Sequence, residues 1–284
     1  MVNVTAAAIS QFDVVHASGK HAIKPPTLPS VAGNEGVGRL EDGRRVYFAG
    51  PLAPHGSMAE QTLVNSSNLI EVPTGVDDAT AAALGNSGLA AWLPLSSRAQ
   101  LAPGESVLII GATGIVGRLA VQAARLLGAG RVIAAGRDAA ALERATELGA
   151  DAVVVLGEDA HLVDAYHAVA DGAVDVIVDY TWGRPLGAAL EVAGVGARVV
   201  QVGRAAGADV QLSADLMRAK SLNLLGYATY HVAHNVRAVA YQRLAQFAAE
   251  GKLAVDLECL PLSEVEQAWA RQQAGVRRRL VIMP

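Results

Sequence analysis

The sequence predicts an α/β fold, with a doubly wound parallel sheet as its larger part and a smaller, mainly β part. Three observations support this prediction. Between about residues 103 and 225, short apolar runs alternate with helical patterns, which is typical of a parallel sheet covered by helices on both faces. A glycine-rich turn joins the first apolar run to the helix that follows it. Residues 1 to about 92 contain few helical patterns and many proline and glycine breaks.

Composition excludes several classes of protein. The chain has 284 residues, of which 52% are hydrophobic and 18% charged, so it is long and apolar enough to bury two modest cores. A net charge of −4 gives no electrostatic reason to expect nucleic acid or an anionic membrane as a partner. No apolar run reaches the ~20 residues of a spanning helix, and the N-terminus lacks a signal-peptide pattern. A cytoplasmic protein is the expectation.

The smaller part is predicted from both ends of the chain. At the N-terminal end we expect β segments at 2–9, 33–40, 44–48, 57–64 and 69–72, with helices at 12–18, 77–84 and from Ala90 onward. At the C-terminal end we expect a strand-like start near residue 253, a helix at 263–273 and a last apolar stretch at 280–283. Ser263 and Glu266 predict a capping box at the start of that helix.

The larger part alternates regularly. Strands are predicted at 107–110, 132–134, 152–155, 174–178, 198–202 and 222–225, and helices at 118–127, 139–148, 162–170, 186–192 and 235–249. Six parallel strands make a complete dinucleotide-binding domain. We therefore assign residues 93–251 to a Rossmann dinucleotide-binding domain, and residues 1–92 and 252–284 to a substrate or catalytic domain.

The glycine-rich turn is the main functional signal. Compared with the strict G-x-G-x-x-G, alanine replaces the first glycine and the second and third are present. Glycine lets the backbone approach a pyrophosphate, and the helix N-terminus directs free N–H groups at it. The predicted cofactor contacts here are Gly111, Ala112, Thr113, Gly114, Ile115, Val116 and Gly117. The alternative is a tight turn that any doubly wound sheet could contain.

Five motifs in a fixed order carry a family resemblance. They are Gly33-Asn-Glu-Gly-Val-Gly38, Gly56-Ser-Met-Ala-Glu60, Ala82-Ala-Leu-Gly-Asn-Ser-Gly-Leu-Ala-Ala-Trp92, Gly104 to Gly117, and Leu148-Gly-Ala-Asp151. With them the chain resembles the medium-chain dehydrogenases/reductases, in the zinc-independent quinone oxidoreductase (zeta-crystallin-like) branch. The resemblance implies a GroES-like β domain built from both chain ends around a Rossmann domain, and an active site in the cleft between them. It also implies a homodimer that pairs the last Rossmann strand, Asn223–Gly226.

Two departures from the family pattern matter. Zinc-using relatives carry histidine where this chain has Asn34 and cysteine about where Ser10 stands, and Cys259 is the single cysteine. We therefore predict no zinc and no other metal. Family members also have about one more hairpin before residue 2. Two explanations stay open: a misassigned start, or an N-terminally truncated GroES-like domain that leaves a strand edge unpaired.

The end of the second Rossmann strand predicts the cofactor. NAD enzymes usually present an acidic residue there to the ribose 2′-hydroxyl, but this chain has Gly136 followed by Arg137. A glycine leaves room for a 2′-phosphate, and an arginine can bind it through two charge-assisted hydrogen bonds. NADPH is therefore favoured over NADH. Asp138 could act as a displaced acid, but the favoured interpretation is a cap of the helix from Ala139. Arg137 could also be a plain surface charge.

Further cofactor contacts follow from position and from the resemblance. Loops at the carboxyl ends of parallel strands hold ligands in such sheets. The resemblance implies that the backbone near Val202 and Gly226 faces the nicotinamide and that Arg279 approaches the cofactor. The further predicted contacts are Tyr180, Val202, Gly203, Arg204, Gly226 and Arg279.

Without zinc, the suitable hydride acceptor spreads the incoming charge itself, as a quinone or an α,β-unsaturated carbonyl does. Candidate catalytic residues, as donors to the oxyanion or to the proton relay, are Asn34, Tyr47, Asn86 and Tyr180. Each has an alternative role: the asparagines could cap or bridge backbone, Tyr47 could be a core aromatic, and Tyr180 could be packing. Two further functions stay open, an enoyl-thioester reductase and a non-catalytic NADPH-binding sensor or structural protein.

Overall fold

The computed structural model describes residues 1–21, 23–157 and 161–284. Numbered in chain order, the strands are β1 Val2–Ala8, β2 Glu35–Arg39, β3 Arg45–Ala49, β4 Gln61–Thr62, β5 Leu69–Glu71, β6 Ser106–Ile110, β7 Arg131–Gly136, β8 Ala152–Val155, β9 Val174–Asp179, β10 Ala193–Gln201, β11 Asn223–Gly226, β12 Leu257–Pro261 and β13 Arg279–Met283. The α-helices are α1 Gln11–Ala17, α2 Asp78–Leu93, α3 Ile115–Leu126, α4 Ala139–Glu147, α5 Leu162–Ala170, α6 Arg184–Ala189, α7 Ala214–Ala219, α8 His234–Ala249 and α9 Val265–Ala274. Short helical turns of other types lie at Ser66–Asn68, Pro94–Arg98, Thr229–His231 and Leu262–Glu264.

The chain divides into two compact units, one of residues 90–231 and one of residues 1–89 with 232–284. In the first unit, strands β6 to β11 form a parallel sheet in the order β11-β10-β9-β6-β7-β8. The order reverses between β6 and β9, which is the doubly wound arrangement. Because helices cover both faces, the central strands are apolar throughout, and Val107 to Ile110 are fully buried. The predicted Rossmann sheet is confirmed.

The second unit is a mixed sheet that joins the two ends of the chain. Its order is β12-β13-β1-β2-β3-β5, and β4 pairs with β1. Strands β12 and β13 run parallel, whereas the other pairs are antiparallel. Ala7 pairs with Ile282 across β1 and β13. One face of this sheet buries an apolar cluster that includes Phe48, Met58 and Leu280. The predicted mainly β part, built from both chain ends, is confirmed.

Helix α8 lies in a different unit from the predicted one. The sequence assigns residues 235–249 to the Rossmann domain, but the compact unit that contains α8 is the one with both chain ends. The Tyr241 hydroxyl donates to the Ala81 carbonyl at 3.0 Å. Leu244 is buried and would lie 3.1 Å from a Cβ at Gly88. The apolar face of α8 thus packs on α2, and the unit boundaries fall at 89/90 and 231/232 rather than 92/93 and 251/252.

Two local predictions need correction. The capping box predicted from Ser263 and Glu266 is wrong, because α9 begins at Val265 behind Glu264, which makes no side-chain cap. A capping box is found instead at α1, where Ser10 and Asp13 bond to each other's backbone. Helix α7 was not predicted, since it has only six residues and none of them is buried. In the part of the chain that the structure describes, no helix is long and apolar enough to cross a membrane.

Candidate functional site

The glycine-rich turn connects β6 to α3 in the unit of residues 90–231. Gly111 has φ +92°, and a Cβ there would contact Thr181 Cγ2 at 3.1 Å. At Gly117 a Cβ would lie 2.2 Å from the Gly111 carbonyl oxygen, so only glycine lets the helix sit this close to the turn. Gly114 is the extended N-cap of α3 and provides no side-chain cap. The first-turn N–H groups of α3 therefore meet no capping side chain.

The replacement of the first glycine by Ala112 has a structural explanation. Ala112 is fully buried, and its N–H and that of Gly111 both donate to the Ala135 carbonyl, at 2.9 and 2.8 Å. Its φ is not in the left-handed region that favours glycine, unlike that of Gly111. A methyl group is therefore accommodated at this position. The departure from the strict motif leaves the geometry of the turn intact.

The end of β7 lies against the same turn. A Cβ at Gly136 would lie 2.4 Å from Thr113 Cγ2, so the missing side chain lets strand and turn approach each other. Arg137 follows and is exposed. Asp138 accepts a hydrogen bond from the Ala141 N–H at 3.1 Å as the N-cap of α4, which confirms the predicted cap. Arg137 is then the first charged side chain after β7.

A buried aspartate shapes the loop after β9. Asp179 is fully buried and accepts from the Thr181 N–H at 2.8 Å, from the Thr181 hydroxyl at 2.9 Å and from the Trp182 N–H at 2.9 Å. Burial raises the pKa of Asp179 above its ordinary value, and these hydrogen bonds partly oppose the rise. Its carbonyl accepts from the Val202 and Gly203 N–H groups, at 2.8 and 3.2 Å. Sequence reasoning missed Asp179, although an aspartate that ends a strand before Thr181 is a signal for an Asx turn.

The other predicted cofactor residues of this unit lie at the same ends of the strands. At Gly203 a Cβ would lie 2.4 Å from the Tyr180 carbonyl oxygen, so this loop also requires a glycine. The Tyr180 hydroxyl donates to the Ala90 carbonyl at 3.0 Å, and burial raises the pKa of Tyr180 well above its ordinary value. Arg204 is exposed, and the carbonyl of Gly226 accepts from Arg98 Nε at 3.0 Å.

The other unit contains a buried polar cluster centred on Glu35, whose side chain is 1% exposed. One carboxylate oxygen, Oε2, accepts from the Tyr47 hydroxyl at 2.7 Å and from the Asn86 N–H at 2.6 Å. The other oxygen lies 3.4 Å from a guanidinium nitrogen of Arg279, whose side chain is 3% exposed. Burial raises the pKa of Glu35, and Arg279 and the two hydrogen bonds partly oppose the rise.

A break in helix α2 makes room for this carboxylate. Gly85 has φ −37° and ψ −115°, which is not helical, so α2 consists of two helical pieces. A Cβ at Gly85 would lie 2.2 Å from Glu35 Oε2 and 2.5 Å from Tyr47 Cε2. Because residue 85 has no side chain, the carboxylate reaches the backbone N–H of Asn86 at the start of the second piece. Glu35, which lies on strand β2, thus caps the N-terminus of this second helical piece.

A second buried carboxylate belongs to the same cluster. Asp13 accepts from the Ser10 N–H at 2.7 Å and the Ser10 hydroxyl at 2.6 Å. Burial raises the pKa of Asp13, whereas these bonds, the charge of Arg279 and the backbone N–H of Asn34 oppose the rise. Arg279 donates to the Ile9 carbonyl at 2.8 Å and to the Ser87 hydroxyl at 2.6 Å. The charge of one guanidinium therefore lowers the pKa of both buried carboxyl groups.

Comparison with known proteins finds similar sequences and folds over most of the chain. The family model of zinc-binding dehydrogenases matches residues 116–247. Over 266 residues, the chain is 27% identical to a quinone oxidoreductase-like protein 2 homolog of Nematostella vectensis, covering 89% of this chain and 72% of that protein. A quinone oxidoreductase of Escherichia coli, solved in complex with NADPH, has the same fold at a TM-score of 0.84 and 22% identity, with 100% of this chain and 90% of that one covered. In sequence and fold, the chain is similar to the quinone oxidoreductase branch of the medium-chain dehydrogenases/reductases.

A second relative has a different architecture. Over 270 residues, the chain is 28% identical to a phenolphthiocerol/phthiocerol polyketide synthase of Mycobacterium tuberculosis. The aligned part covers 89% of this chain but only 12% of that synthase. The chain thus spans about an eighth of the length of this much larger relative.

The predicted catalytic residues lie in both units. Asn34, Tyr47 and Asn86 lie in the unit of the chain ends, where Tyr47 and Asn86 contact Glu35, whereas Tyr180 lies in the other unit. Asn34 and Asn86 are half-buried, and the backbone N–H of Asn86 donates to Glu35. Sequence reasoning missed Glu35, although it stands inside the quoted motif Gly33 to Gly38.

Tyr47 and Arg279, two of the predicted site residues, are buried. Tyr47 is buried and stacks on Tyr241 at 4.4 Å between ring centroids, and burial together with Glu35 raises its pKa well above the ordinary value. This geometry favours the alternative role of a core aromatic. Arg279 is 2% exposed and bonded to protein groups, so its observed contacts are structural. Roles for Tyr47 in catalysis and for Arg279 in cofactor binding stay predictions.

The side chains that could bind a metal are scattered. Among residues 1–21, 23–157 and 161–284, no three or more histidine, cysteine, aspartate or glutamate side chains are grouped so that they could hold a metal ion. Ser10, where zinc-using relatives carry cysteine, caps α1 and donates to Asp13. The segment that matches the zinc-binding dehydrogenase model, residues 116–247, contains neither Ser10 nor Asn34. Zinc independence stays a prediction.

Proposed function

We propose that the protein is an NADPH-dependent oxidoreductase that delivers hydride to a quinone or an α,β-unsaturated carbonyl without zinc. The observation that carries this proposal is the turn from Gly111 to Gly117 followed by Gly136 and Arg137 at the next strand end. Support for the cofactor comes from the Escherichia coli quinone oxidoreductase, which shares this fold and was solved with NADPH. The residues here fit such a ligand, because two glycines hold backbone where a Cβ would clash.

In this proposal the N-terminus of α3 would hold the pyrophosphate. The first-turn N–H groups and the positive end of the helix dipole would bind it, since Gly114 supplies no side-chain cap. Arg137 binds the 2′-phosphate through charge-assisted hydrogen bonds, and its exposed guanidinium is available for them. Asp138 does not act as the acid that selects NADH, because its carboxylate caps α4. When bound, NADPH supplies the hydride.

On the acceptor side, the protein stabilises the oxygen that gains charge as hydride arrives. Asn34 and Asn86 carry side-chain amides that can donate to such an oxygen, and the backbone N–H of Asn86 is held by the buried carboxylate of Glu35. A quinone or enone needs only these donors and a proton from solvent, because its own conjugated system spreads the charge. The single cysteine and the absence of a grouped metal donor set in the described residues support a mechanism without zinc.

The alternative with its own observation is reduction of an enoyl thioester. The polyketide synthase aligns with 89% of this chain, which supports a substrate tethered through a thioester. Reduction of an enone and of an enoyl thioester both deliver hydride to a conjugated β-carbon, so these reactions would share the cofactor site and differ in what holds the carbonyl. The alternative predicts a preference for 2-enoyl thioesters over free quinones.

The test is NADPH oxidation followed at its absorbance maximum with matched acceptors. The panel contains 1,4-benzoquinone, a simple enone, 2-butenoyl-coenzyme A and the saturated butanoyl-coenzyme A as a control that cannot accept hydride. Turnover with the quinone or the enone supports the proposal. Turnover with 2-butenoyl-coenzyme A alone supports the thioester reductase. Tight NADPH binding without turnover of any acceptor points to the non-catalytic NADPH-binding protein instead.

A further inference from the structure

We infer that Glu35, paired with Arg279, is a positioning residue that holds Asn86 in place for the acceptor. This inference rests on the proposed function, because it concerns how one of the two oxyanion donors is oriented. It goes further in assigning a task to a buried ion pair that touches neither acceptor nor cofactor in the proposal.

The first step is the contact between Glu35 and Asn86. The carboxylate accepts the Asn86 backbone N–H at 2.6 Å, in the gap left by Gly85. This N–H is the first of the second helical piece of α2 and has no carbonyl partner within that piece. A charge-assisted hydrogen bond of this length is among the strong ones. Glu35 therefore fixes the position of the Asn86 backbone, to which the side-chain amide is attached.

The second step concerns the surroundings of the other asparagine. The Asn34 carbonyl accepts from the Gly50 N–H at 2.8 Å, and its own backbone N–H lowers the pKa of Asp13. Asp13 is itself fixed by the Ser10 N–H and hydroxyl. The direct carboxylate contact to a predicted donor is therefore the one between Glu35 and Asn86.

The third step is the link that Arg279 makes between these two regions. Arg279 lies on β13, far along the chain from both carboxylates, and donates to the Ile9 carbonyl and the Ser87 hydroxyl. Ile9 precedes the α1 cap that contains Asp13, and Ser87 follows Asn86. One guanidinium therefore ties the segment of Ser87 and Asn86 to the segment that precedes Asp13, and pairs with Glu35. Burying three charges for packing alone is costly, since apolar side chains of the same volume would often stabilise the fold as well.

The experiment is a double-mutant cycle between Glu35 and Asn86. Asn86→Ala keeps the backbone N–H but removes the amide, and we expect a loss of about a hundredfold in kcat, as for one oxyanion donor. Glu35→Ala should lower kcat by about tenfold to a hundredfold, because a displaced donor loses most of its effect. In the double variant the two losses should not add, since Glu35 acts through Asn86. Additive losses would overturn the inference.

Controls and a second readout separate this role from general stability. Glu258→Gln breaks the ion pair with Arg271 in the same unit, outside the cluster, and should leave kcat unchanged. The KM for NADPH should stay the same in every variant of the cycle. If Glu35→Ala does not fold, the isosteric Glu35→Gln replaces it in the cycle.

The amide proton of Asn86 tests the positioning without any activity. A short hydrogen bond to a carboxylate predicts a downfield resonance that moves upfield in Glu35→Gln. An unmoved resonance would contradict the inference even if kcat falls. If Asn86→Ala keeps the full kcat while the resonance moves, the oxyanion role of Asn86 fails and the anchoring of its backbone stands.

Discussion

Gly85 and Glu35 are adjacent in space although they are far apart along the chain. The position of the Glu35 carboxylate and the break in the helix at Gly85 depend on each other. The carboxylate occupies the volume that a side chain at residue 85 would need. The N–H that Glu35 accepts is available because α2 is interrupted at Gly85. The non-helical backbone at this residue is therefore a requirement of the buried cluster.

This geometry predicts the effect of Gly85→Ala. A Cβ 2.2 Å from Glu35 Oε2 forces the carboxylate or the helix to move, and we expect a loss of about 1–3 kcal/mol in unfolding free energy. Urea unfolding measures it. Gly187→Ala is the control, because its nearest neighbour would be 3.7 Å away and α6 is helical there. A Gly85→Ala protein as stable as the control would contradict the account of the break.

Arg137 is the residue that we expect to select NADPH over NADH. Arg137→Ala should reduce the ratio of kcat/KM for NADPH to that for NADH by about tenfold to a hundredfold, because a hydrogen bond to a charged group contributes about 1.5–3 kcal/mol. Steady-state kinetics with both cofactors measures the ratio. The matched control is Arg144→Ala on α4, where the arginine pairs with Glu147. An unchanged ratio in Arg137→Ala would show that Arg137 is only a surface charge.

The raised pKa of Glu35 predicts a pH dependence of stability with a definite sign. Burial raises the pKa of Glu35 in the folded state above the ordinary value of 4.5, so the folded protein holds this proton more tightly than the unfolded chain does. The cost of ionising Glu35 is therefore absent below its ordinary pKa and grows as pH rises through the raised one. Glu35→Gln cannot ionise and lacks this cost.

The measurement for this prediction is urea unfolding of both proteins over a pH series. As pH rises through the acidic range, the unfolding free energy of Glu35→Gln should increase relative to that of the wild type. The comparison uses the change with pH, because Glu35→Gln also loses the charge that faces Arg279. A difference that stays constant with pH, or falls, is incompatible with a carboxyl whose pKa is raised by burial.

At the scale of elements, the sequence predicts the parallel strands and their helices closely. The apolar run at 107–110 and the strand β6 nearly coincide, because a strand buried on both faces must be continuously apolar. The interruption predicted between residues 84 and 90 is also real, although it is confined to Gly85. Helix α7 lacks buried residues and therefore has no periodic pattern by which to find it.

The errors among elements arise where two local signals compete. Ser263 is a good N-cap by type, but it lies inside a short helical turn at Leu262–Glu264 that precedes α9. At α1 the capping box Ser10/Asp13 was not predicted, since no apolar period marks so short a helix. Residue type identifies a capping box only when the helix start is already known.

The buried cluster could not be predicted from the sequence. Glu35 and Arg279 are 244 positions apart, and they meet because β13 pairs with β1 and β1 with β2. Their contact depends on tertiary register, which local patterns do not contain. Asn34 and Asn86 could be proposed from motifs, but the Glu35 contact that anchors Asn86 could not.

At the scale of the whole molecule, the two chain ends form one sheet, and residues 90–231 form a unit of their own. The family resemblance predicted this insertion. The predicted domain boundary left helix α8 with the inserted residues, whereas the compact unit that contains α8 is the one with both chain ends. Buried contacts join α8 to α2, and amphipathic periodicity does not say which neighbour a helix will face.

The predicted homodimer is a property of the whole chain. Strand β11 is at the end of the parallel sheet and pairs with β10 on one side, so its other edge can take a strand from a second copy. Sedimentation equilibrium should give about twice the chain mass of 29.2 kDa. A mass that stays at that of one chain at micromolar concentration would refute pairing through β11.

The central claim is hydride transfer from NADPH to a conjugated acceptor by a protein that does not use zinc. Its most direct test is kcat/KM for NADPH with 1,4-benzoquinone, measured on enzyme treated with a strong chelator and verified as metal-free by elemental analysis. We predict that the metal-free enzyme turns over at the same rate as untreated enzyme, with NADPH preferred over NADH. Loss of activity on chelation that zinc restores would contradict the claim.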